Sequence, residues 1–332
     1  MTWGLERMPE ITLLEAINQA MHLEMDRDER VVVVGEDVAK SGGVFRATDG
    51  LLQKFGPDRI FDMPLAEGVV VGSSIGLAIA GLVPVAEIQF MGFAHNAFSQ
   101  IVDQLARVRS RSCGRFHAQV TVRMPYGGGV RTPEFHSDAF EAQFAQAPGL
   151  KVVCPSNPRD AKGLLLAAIR DPDPVLFLEP LKGYRLVRGE VPDGDFTTPI
   201  GEAAVVRPGR DCTLIAWSAG VQLALRAAED AAQHGIEVEV IDLRSLVPLD
   251  VNTLVKSVMR TGRAVVVQEA PLTAGFAAEV VSTIQEEAFF SLQAPIRRVG
   301  APDAAYPVQL LEEHYIPSPE RVLRAIRATL KD

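Results

Sequence analysis

Cysteine is scarce in this sequence: Cys113, Cys154 and Cys212 are the only three in 332 residues, each far from the next. An odd, scattered set makes neither a disulfide framework nor a zinc-ligand cluster, so reduced thiols in a cytoplasmic protein are expected. Long hydrophobic runs are missing too, none reaching the ~18 apolar residues that cross a bilayer. The opening Met-Thr-Trp-Gly-Leu-Glu-Arg lacks the apolar stretch of a secretory signal. Positive charge is not in excess: the formal balance is −9, which argues against broad binding to nucleic acid or anionic membranes. No Gly-x-Gly-x-x-Gly follows a strand, and no Gly-x-x-x-x-Gly-Lys-[Ser/Thr], Gly-x-Ser-x-Gly or His-Glu-x-x-His occurs. Any phosphate or metal is therefore held by some other device, or by another chain.

What is present is ordinary globular composition, 47% apolar and 23% charged, in a chain long enough for two domains of ~100–200 residues. Apolar β-branched runs alternate with helix-period segments. Val31–Val34, Val83–Ile88, Val120–Val122, Lys151–Val153 and Val175–Leu178 read as buried strands. Helices are predicted from about Thr12, where Thr12 and Glu15 form a capping box, and near 67–80, 96–110 and 158–170. Asn157 caps the last of these, with Pro158 at its first position. Periodicity lapses over Tyr184–Pro199, which carries Gly189, Pro192, Gly194 and Pro199. It then resumes: strands 212–217, 236–241, 263–268 and 296–299, helices 219–234, 250–259 and 275–289, and a last helix from Pro319 capped by Ser318. Gly235 stands where a helix-ending glycine should. The expectation is an α/β protein of two doubly wound, mostly parallel sheets, with domains 8–184 and 200–332 joined by a linker over 185–199.

Four features invite a chemical reading. Glu67 leads into Gly68–Ala80, where Gly68, Gly72, Gly76 and Ala80 form one helical stripe of small residues, a sign of close backbone approach. A carboxyl there is either an end cap or a buried acid with a task. Gly127-Gly128-Gly129 follows a strand and either lines a cavity or makes a tight turn. His136 lies on the next loop, at the kind of strand end where α/β proteins place their chemistry, although a solvated or structural histidine is the plainer reading. Arg107, Arg109, Arg111 and Arg115 crowd a predicted helix C-terminus, where the dipole suffices to explain them and an acidic partner is the alternative. Phe90, Phe93 and Phe98 read as core, or Phe93 as a ring offered to a flat ligand.

Taken together, Asp62-Met-Pro-Leu-Ala-Glu67 with Gly72-x-x-x-Gly76 is similar to the Glu-x4-Gly-x-x-x-Gly signature of thiamine-diphosphate pyrimidine-binding domains. Gly35-Glu-Asp37, Gly42-Gly-Val-Phe-Arg46, Glu87-Ile-Gln-Phe90, Gly127-Gly-Gly-Val130, His136-Ser137, Pro148-Gly-Leu-Lys-Val-Val153 and Asp160-Ala-Lys-Gly163 extend the likeness. The set resembles the β subunit of the E1 component of 2-oxoacid dehydrogenase complexes, from about residue 10 to 325. Arg131-Thr-Pro-Glu-Phe-His136-Ser-Asp138 and Val-Val-Gln268-Glu269-Ala270 look most like its bacterial pyruvate-specific members.

The resemblance implies a pyrimidine-binding domain followed by a transketolase C-terminal-like domain. It implies that Glu67 bonds N1′ of the thiamine-diphosphate aminopyrimidine and favours its imino form, in a pocket kept dry by Leu65, Val69 and Val70. Leu65 and Phe93 would touch the cofactor, and His136 would protonate a lipoyl sulfur as the acyl group leaves. The missing diphosphate motif implies an E1 α subunit that grips magnesium and diphosphate in an α₂β₂ tetramer, with E2 as the acyl acceptor. In several relatives a potassium ion braces the β subunit, at positions matching Val120, Ala168, Asp171 and Asp173. Pyruvate is the expected substrate; branched-chain 2-oxoacids and acetoin are alternatives, as are a non-catalytic scaffold and a self-sufficient homodimer. The chain departs from the family at Ser110, Cys113, Asn96, Ser99 and Arg159, all expected to leave Glu67 and His136 untouched.

Overall fold

The computed structural model describes residues 10–331 except 308. Met8 and Pro9, where the first domain is expected to begin, and Asp332 lie outside the described residues. Two sheets organise the chain. The larger has seven strands in the order Ser245–Val247, Lys151–Val153, Val175–Pro180, Thr121–Tyr126, Val83–Glu87, Val31–Gly35, Ile60–Asp62. All are parallel except Ser245–Val247, which runs antiparallel to Lys151–Val153. The smaller has five, Arg297–Ala301, Ala264–Pro271, Cys212–Ala216, Val238–Asp242 and Ala204–Arg207, again parallel but for the last. The mostly parallel, doubly wound α/β architecture is thus as expected.

Local signals placed most helices. Thr12 caps Leu13–Arg27 with the full capping box, its hydroxyl accepting from the Glu15 amide while Glu15 takes the Thr12 amide. Asn157 caps Pro158–Arg170 by accepting from the Asp160 amide. Ser318 Oγ accepts from the Arg321 amide at the head of Pro319–Lys331. Gly235 takes the left-handed conformation just beyond Ala219–Ala232.

The expected helix over 96–110 is not one helix. Met91–Ala97 is 3₁₀, Gln100–Gln104 is a π turn, Leu105–Arg107 is 3₁₀ again, and only Val108–Arg111 is α. Burial spacing gives the reason. Met91, Ala94 and Ala97 are buried three apart, the 3₁₀ repeat, whereas Ala97, Ile101 and Leu105 are buried four apart and need wider turns. Without one long helix there is no strong dipole for the arginines to meet. Arg107 instead pairs with Asp103 at 3.3 Å, Arg109 with Asp173 at 2.5 Å, and Arg111 bonds Gln104 at 2.6 Å.

Tyr184–Pro199, read as a linker, is partly structured: Gly183–Leu186 is helical, and Arg188–Glu190 pairs antiparallel with Glu10–Thr12. The two halves share one core cluster, in which Val122, Tyr126 and Phe144 lie with Ile215, Trp217 and Phe276. Trp217 also donates its indole N–H to the buried Glu141 carboxylate at 3.0 Å.

Asp242 ends its strand fully buried, bonded by Ser156 Oγ and by the Arg244 amide at 3.0 Å. Burial pushes its carboxyl up to about 7, against the bonds that favour the charge. A native group that holds its proton longer than the unfolded chain does makes stability greatest below pH 4. Stability then falls as pH rises, and the loss is complete above about pH 7. Three units correspond to at most about 4 kcal/mol. Asp242→Asn is expected to flatten the decline in unfolding free energy between pH 5 and 8; an unchanged slope in urea titrations would refute this.

Candidate active site

Three chain segments leaving the carboxyl ends of adjacent parallel strands build the site, as the topology of such sheets favours. The first follows Val31–Gly35 and carries Glu36. The second follows Val83–Glu87 and forms the 3₁₀ helix Met91–Ala97. The third follows Thr121–Tyr126 and runs through Gly127–Gly129 to His136. Above them lies the helix Glu67–Ile79.

Glu67 is the first residue of that helix, and Ala66 stands at the cap position with no side-chain bond. The capping alternative is therefore not adopted, though a carboxylate in the first turn still suits the dipole. Glu67 is 9% exposed. Its Oε2 accepts from Asn96 Nδ2 at 3.2 Å. Asn96, expected to be remote, thus touches the acid, because the backbone of the 3₁₀ helix passes close over Gly68. A Cβ on Gly68 would lie 3.1 Å from the Asn96 carbonyl. Of the small-residue stripe only Gly68 serves this approach; Gly72 meets the Gln100 side chain at ordinary contact distance, and Gly76 faces no neighbour within 4 Å.

The hydrophobic wall expected around Glu67 is only partly there. Val70 is buried, but Leu65 is 74% and Val69 51% exposed. Residues two apart on a helix point to nearly opposite sides, so Val69 turns outward when Glu67 turns in. Glu67 is shielded chiefly by the 91–97 segment. Glu36, to which the sequence reading gave no role, completes the acidic edge. Burial raises its pKa, and the charges of Asp37 and Glu67 add to the rise.

Side chains three apart eclipse on a 3₁₀ helix, so Phe93 and Asn96 share a face. Phe93 meets Phe90 edge-on at 5.4 Å and His136 at 5.0 Å between centroids. Phe90 also meets His136 at 4.6 Å. One short helix thereby links the acid, a half-buried flat ring and the histidine. His136 Nδ1 is buried without a partner among the described residues, whereas His22 and His95 each find one. Gly127 and Gly129 take positive φ, and Gly128 lines a cavity of about 310 Å³ between the two halves, together with Lys182, Arg226 and Glu269. Both readings of the glycine run, turn and cavity wall, apply. Glu269 is pushed up to about 7 by burial, with its Gly128 amide bond opposing.

The potassium candidates do come together, at the amino ends of Thr121–Tyr126 and Val175–Pro180 and the C-terminus of Pro158–Arg170. Their carboxylates are already neutralised: Asp171 by Lys151 at 2.5 Å and Asp173 by Arg109 at 2.5 Å. The ligands that the resemblance implies are mostly main-chain carbonyls, and those of Val120 and Ala168 each accept one amide, from Val175 at 3.0 Å and from Asp171 at 3.2 Å. No group of three or more His, Cys, Asp or Glu side chains among the described residues is placed to hold a metal. No helix among them is long and apolar enough to cross a membrane.

Comparison with known proteins bears on the family and the two halves of the chain. The family model of the transketolase pyrimidine-binding domain matches residues 9–186, and that of the transketolase C-terminal domain matches 201–322. A pyruvate dehydrogenase E1 component subunit beta of Staphylococcus epidermidis is 50% identical over 324 residues, 98% of this chain and all of that protein. The chain belongs to the family of pyruvate dehydrogenase E1 β subunits. Its counterparts in Bacillus subtilis and Staphylococcus aureus are each 49% identical over the same 98% of this chain and all of their own lengths. Among solved structures, a split-gene transketolase described as an inactive β4 tetramer matches with a TM-score of 0.80 and 26% identity. The match covers 97% of this chain and 98% of that one.

Proposed function

We propose that this chain supplies the aminopyrimidine half of a thiamine-diphosphate site in a two-chain E1 enzyme. That enzyme decarboxylates a 2-oxoacid oxidatively and passes the acyl group to lipoyl groups of E2. Family membership makes the chain an oxidoreductase component. The observation that carries the rest is the 3₁₀ helix Met91–Ala97, which joins Glu67, Phe93 and His136 on one side of the sheet. A buried carboxyl beside a flat ring suits a cofactor that is itself a flat, basic heterocycle.

When bound, thiamine diphosphate supplies the electron sink for carbon–carbon cleavage. This chain's residues hold and orient it and move protons. Among the described residues Glu67 Oε1 carries no bond, which leaves it to bond a ring nitrogen while Asn96 holds Oε2. Phe93 would offer its face to the ring, and the exposed Leu65 and Val69 would become buried when a second chain covers them. Magnesium and diphosphate fall to that α chain, in an α₂β₂ assembly. A relative's β4 tetramer described as inactive is consistent with a site that needs two kinds of chain. The division into 8–184, 185–199 and 200–332 belongs to this proposal, as does a cytoplasmic setting like that of an ordinary bacterial dehydrogenase. Potassium enters no step.

The names of the relatives favour pyruvate over branched-chain substrates and acetoin. The test is reconstitution with the α chain, thiamine diphosphate and magnesium, with a panel of 2-oxoacids offered side by side. Pyruvate should give the highest kcat/KM; preference for a branched 2-oxoacid would overturn the substrate assignment, and no turnover of any would favour the scaffold reading. We assign to His136 the proton given to lipoyl sulfur; a ring nitrogen with no partner among the described residues, on the loop beside Phe93, supports this reading. His136→Ala should lower reductive acylation of a lipoyl domain by roughly 10²-fold, and decarboxylation with an artificial electron acceptor much less. Equal losses in the two assays would remove that role.

A further inference from the structure

We propose that Glu269, Tyr306 and Glu312 are positioning residues that hold the His136 loop in its working conformation, so that the second half of the chain sets the geometry of acyl transfer. This rests on the reading of His136 given above.

The loop spans Gly127–Asp138, and its ends are tied by the Gly127 amide donating to the Asp138 carbonyl at 3.1 Å. Between those ends lies little regular structure, only the single 3₁₀ turn Glu134–His136. Three of its amides are instead bonded by side chains from the other half. Gly128 N–H donates to Glu269 Oε1, Gly129 N–H to Tyr306 Oη at 3.3 Å, and Arg131 N–H to Glu312 Oε2 at 3.1 Å. Arg131 has φ +59°, a conformation a side-chain-bearing residue keeps only when its surroundings hold it there. The Glu312 bond falls on that residue.

The glycine run now has a specific reason. A Cβ on Gly127 would lie 2.8 Å from both Glu269 carboxylate oxygens, and one on Gly128 would lie 1.7 Å from Tyr306 Oη. Only glycine lets these side chains reach the main chain. Across the loop the backbone of Phe135 rests on Gly92, where a Cβ would come within 1.9 Å of the Phe135 carbonyl oxygen. The loop is therefore gripped on one side by the second half and on the other by the 3₁₀ helix that carries Phe93. His136 thereby packs against both Phe90 and Phe93, which also touch each other. None of the three gripping side chains touches those rings, so each acts through the loop backbone.

The experiment uses the assembled α/β enzyme carrying Glu269→Ala, Tyr306→Phe, both together, Glu312→Ala, or Glu269→Gln, beside His136→Ala. Hydrogen exchange of the Gly128 and Gly129 amides should speed up by about tenfold or more in Glu269→Ala/Tyr306→Phe, and that of the Arg131 amide by as much in Glu312→Ala. The ratio of lipoyl-domain acylation to decarboxylation should fall by about tenfold in that variant, since small misplacement of a reacting group is costly. Glu269→Gln keeps an acceptor oxygen and should restore most of both. In the His136→Ala background the loop variants should add no further loss of acylation. Unchanged exchange, equal loss of the two activities, or losses that multiply with His136→Ala would overturn the proposal. If His136→Ala itself leaves acylation intact, the histidine's role fails, and the exchange readout still decides whether these side chains hold the loop.

Discussion

Glu67→Gln, assembled with the α chain and cofactor, should turn over a 2-oxoacid more slowly by roughly two to four orders of magnitude. The substitution is close to isosteric, and glutamine can still accept from Asn96 Nδ2 through its amide oxygen. The helix start, the approach over Gly68 and the assembly therefore survive. What disappears is a group that can change from acceptor to donor by taking up a proton, which an amide cannot do. Cofactor affinity, measured by calorimetry, should weaken far less than turnover, because the lost interaction matters most when the proton moves. Turnover within about threefold of the parent would end the assignment of Glu67 as the proton-handling residue.

The second large effect is on folding. Arg123 lies fully buried, its Nε and Nη2 bonding both oxygens of Glu179 at 2.7 and 3.0 Å and its Nη1 bonding Glu87 at 2.8 Å. Tyr184 donates to the same Glu179 carboxylate. Burial raises the Glu179 pKa, and Arg123 opposes the rise. Arg123→Met leaves two carboxylates in the sheet with no counter-charge, which costs about 3–5 kcal/mol. The direction with pH follows from the sign of that change. A stranded acid holds its proton more tightly in the native state, so the deficit should be smallest near pH 5 and grow toward pH 8. Urea unfolding at the two pH values decides the matter: a loss below about 1 kcal/mol, or one independent of pH, would show the triad to be dispensable.

The sequence made some of this legible because its signals were local. A capping box at Thr12 and Glu15, Asn157 before Pro158, and runs such as Val31–Val34 each depend on residues within one turn or one strand. The family motifs also pointed to Glu67, Phe93 and His136, which the structure brings together through one 3₁₀ helix. What escaped was set by distant partners. Asn96 reaches Glu67 only because Gly68 lacks a side chain, Val69 is exposed because the helix turns it away from the acid, and Leu65 is exposed on the segment that precedes that helix. Glu269, Tyr306 and Glu312 lie well over a hundred residues from the amides they bond, and no periodicity announces such a meeting. The irregular 91–111 segment looked helical because three- and four-residue spacings both occur in α-helices; their order, threes then fours, was the available clue.

Ser245–Val247 has a practical consequence for anyone who would dissect this molecule. This three-residue strand comes from the second half yet closes the rim of the first half's sheet beside Lys151–Val153. A fragment ending in the 185–199 connection would carry its first sheet with that rim bare, its peptide groups open to any passing strand. Such a piece is expected to clump or to capture a neighbour rather than persist as a monomer. The chain is better engineered by substitution than by excision.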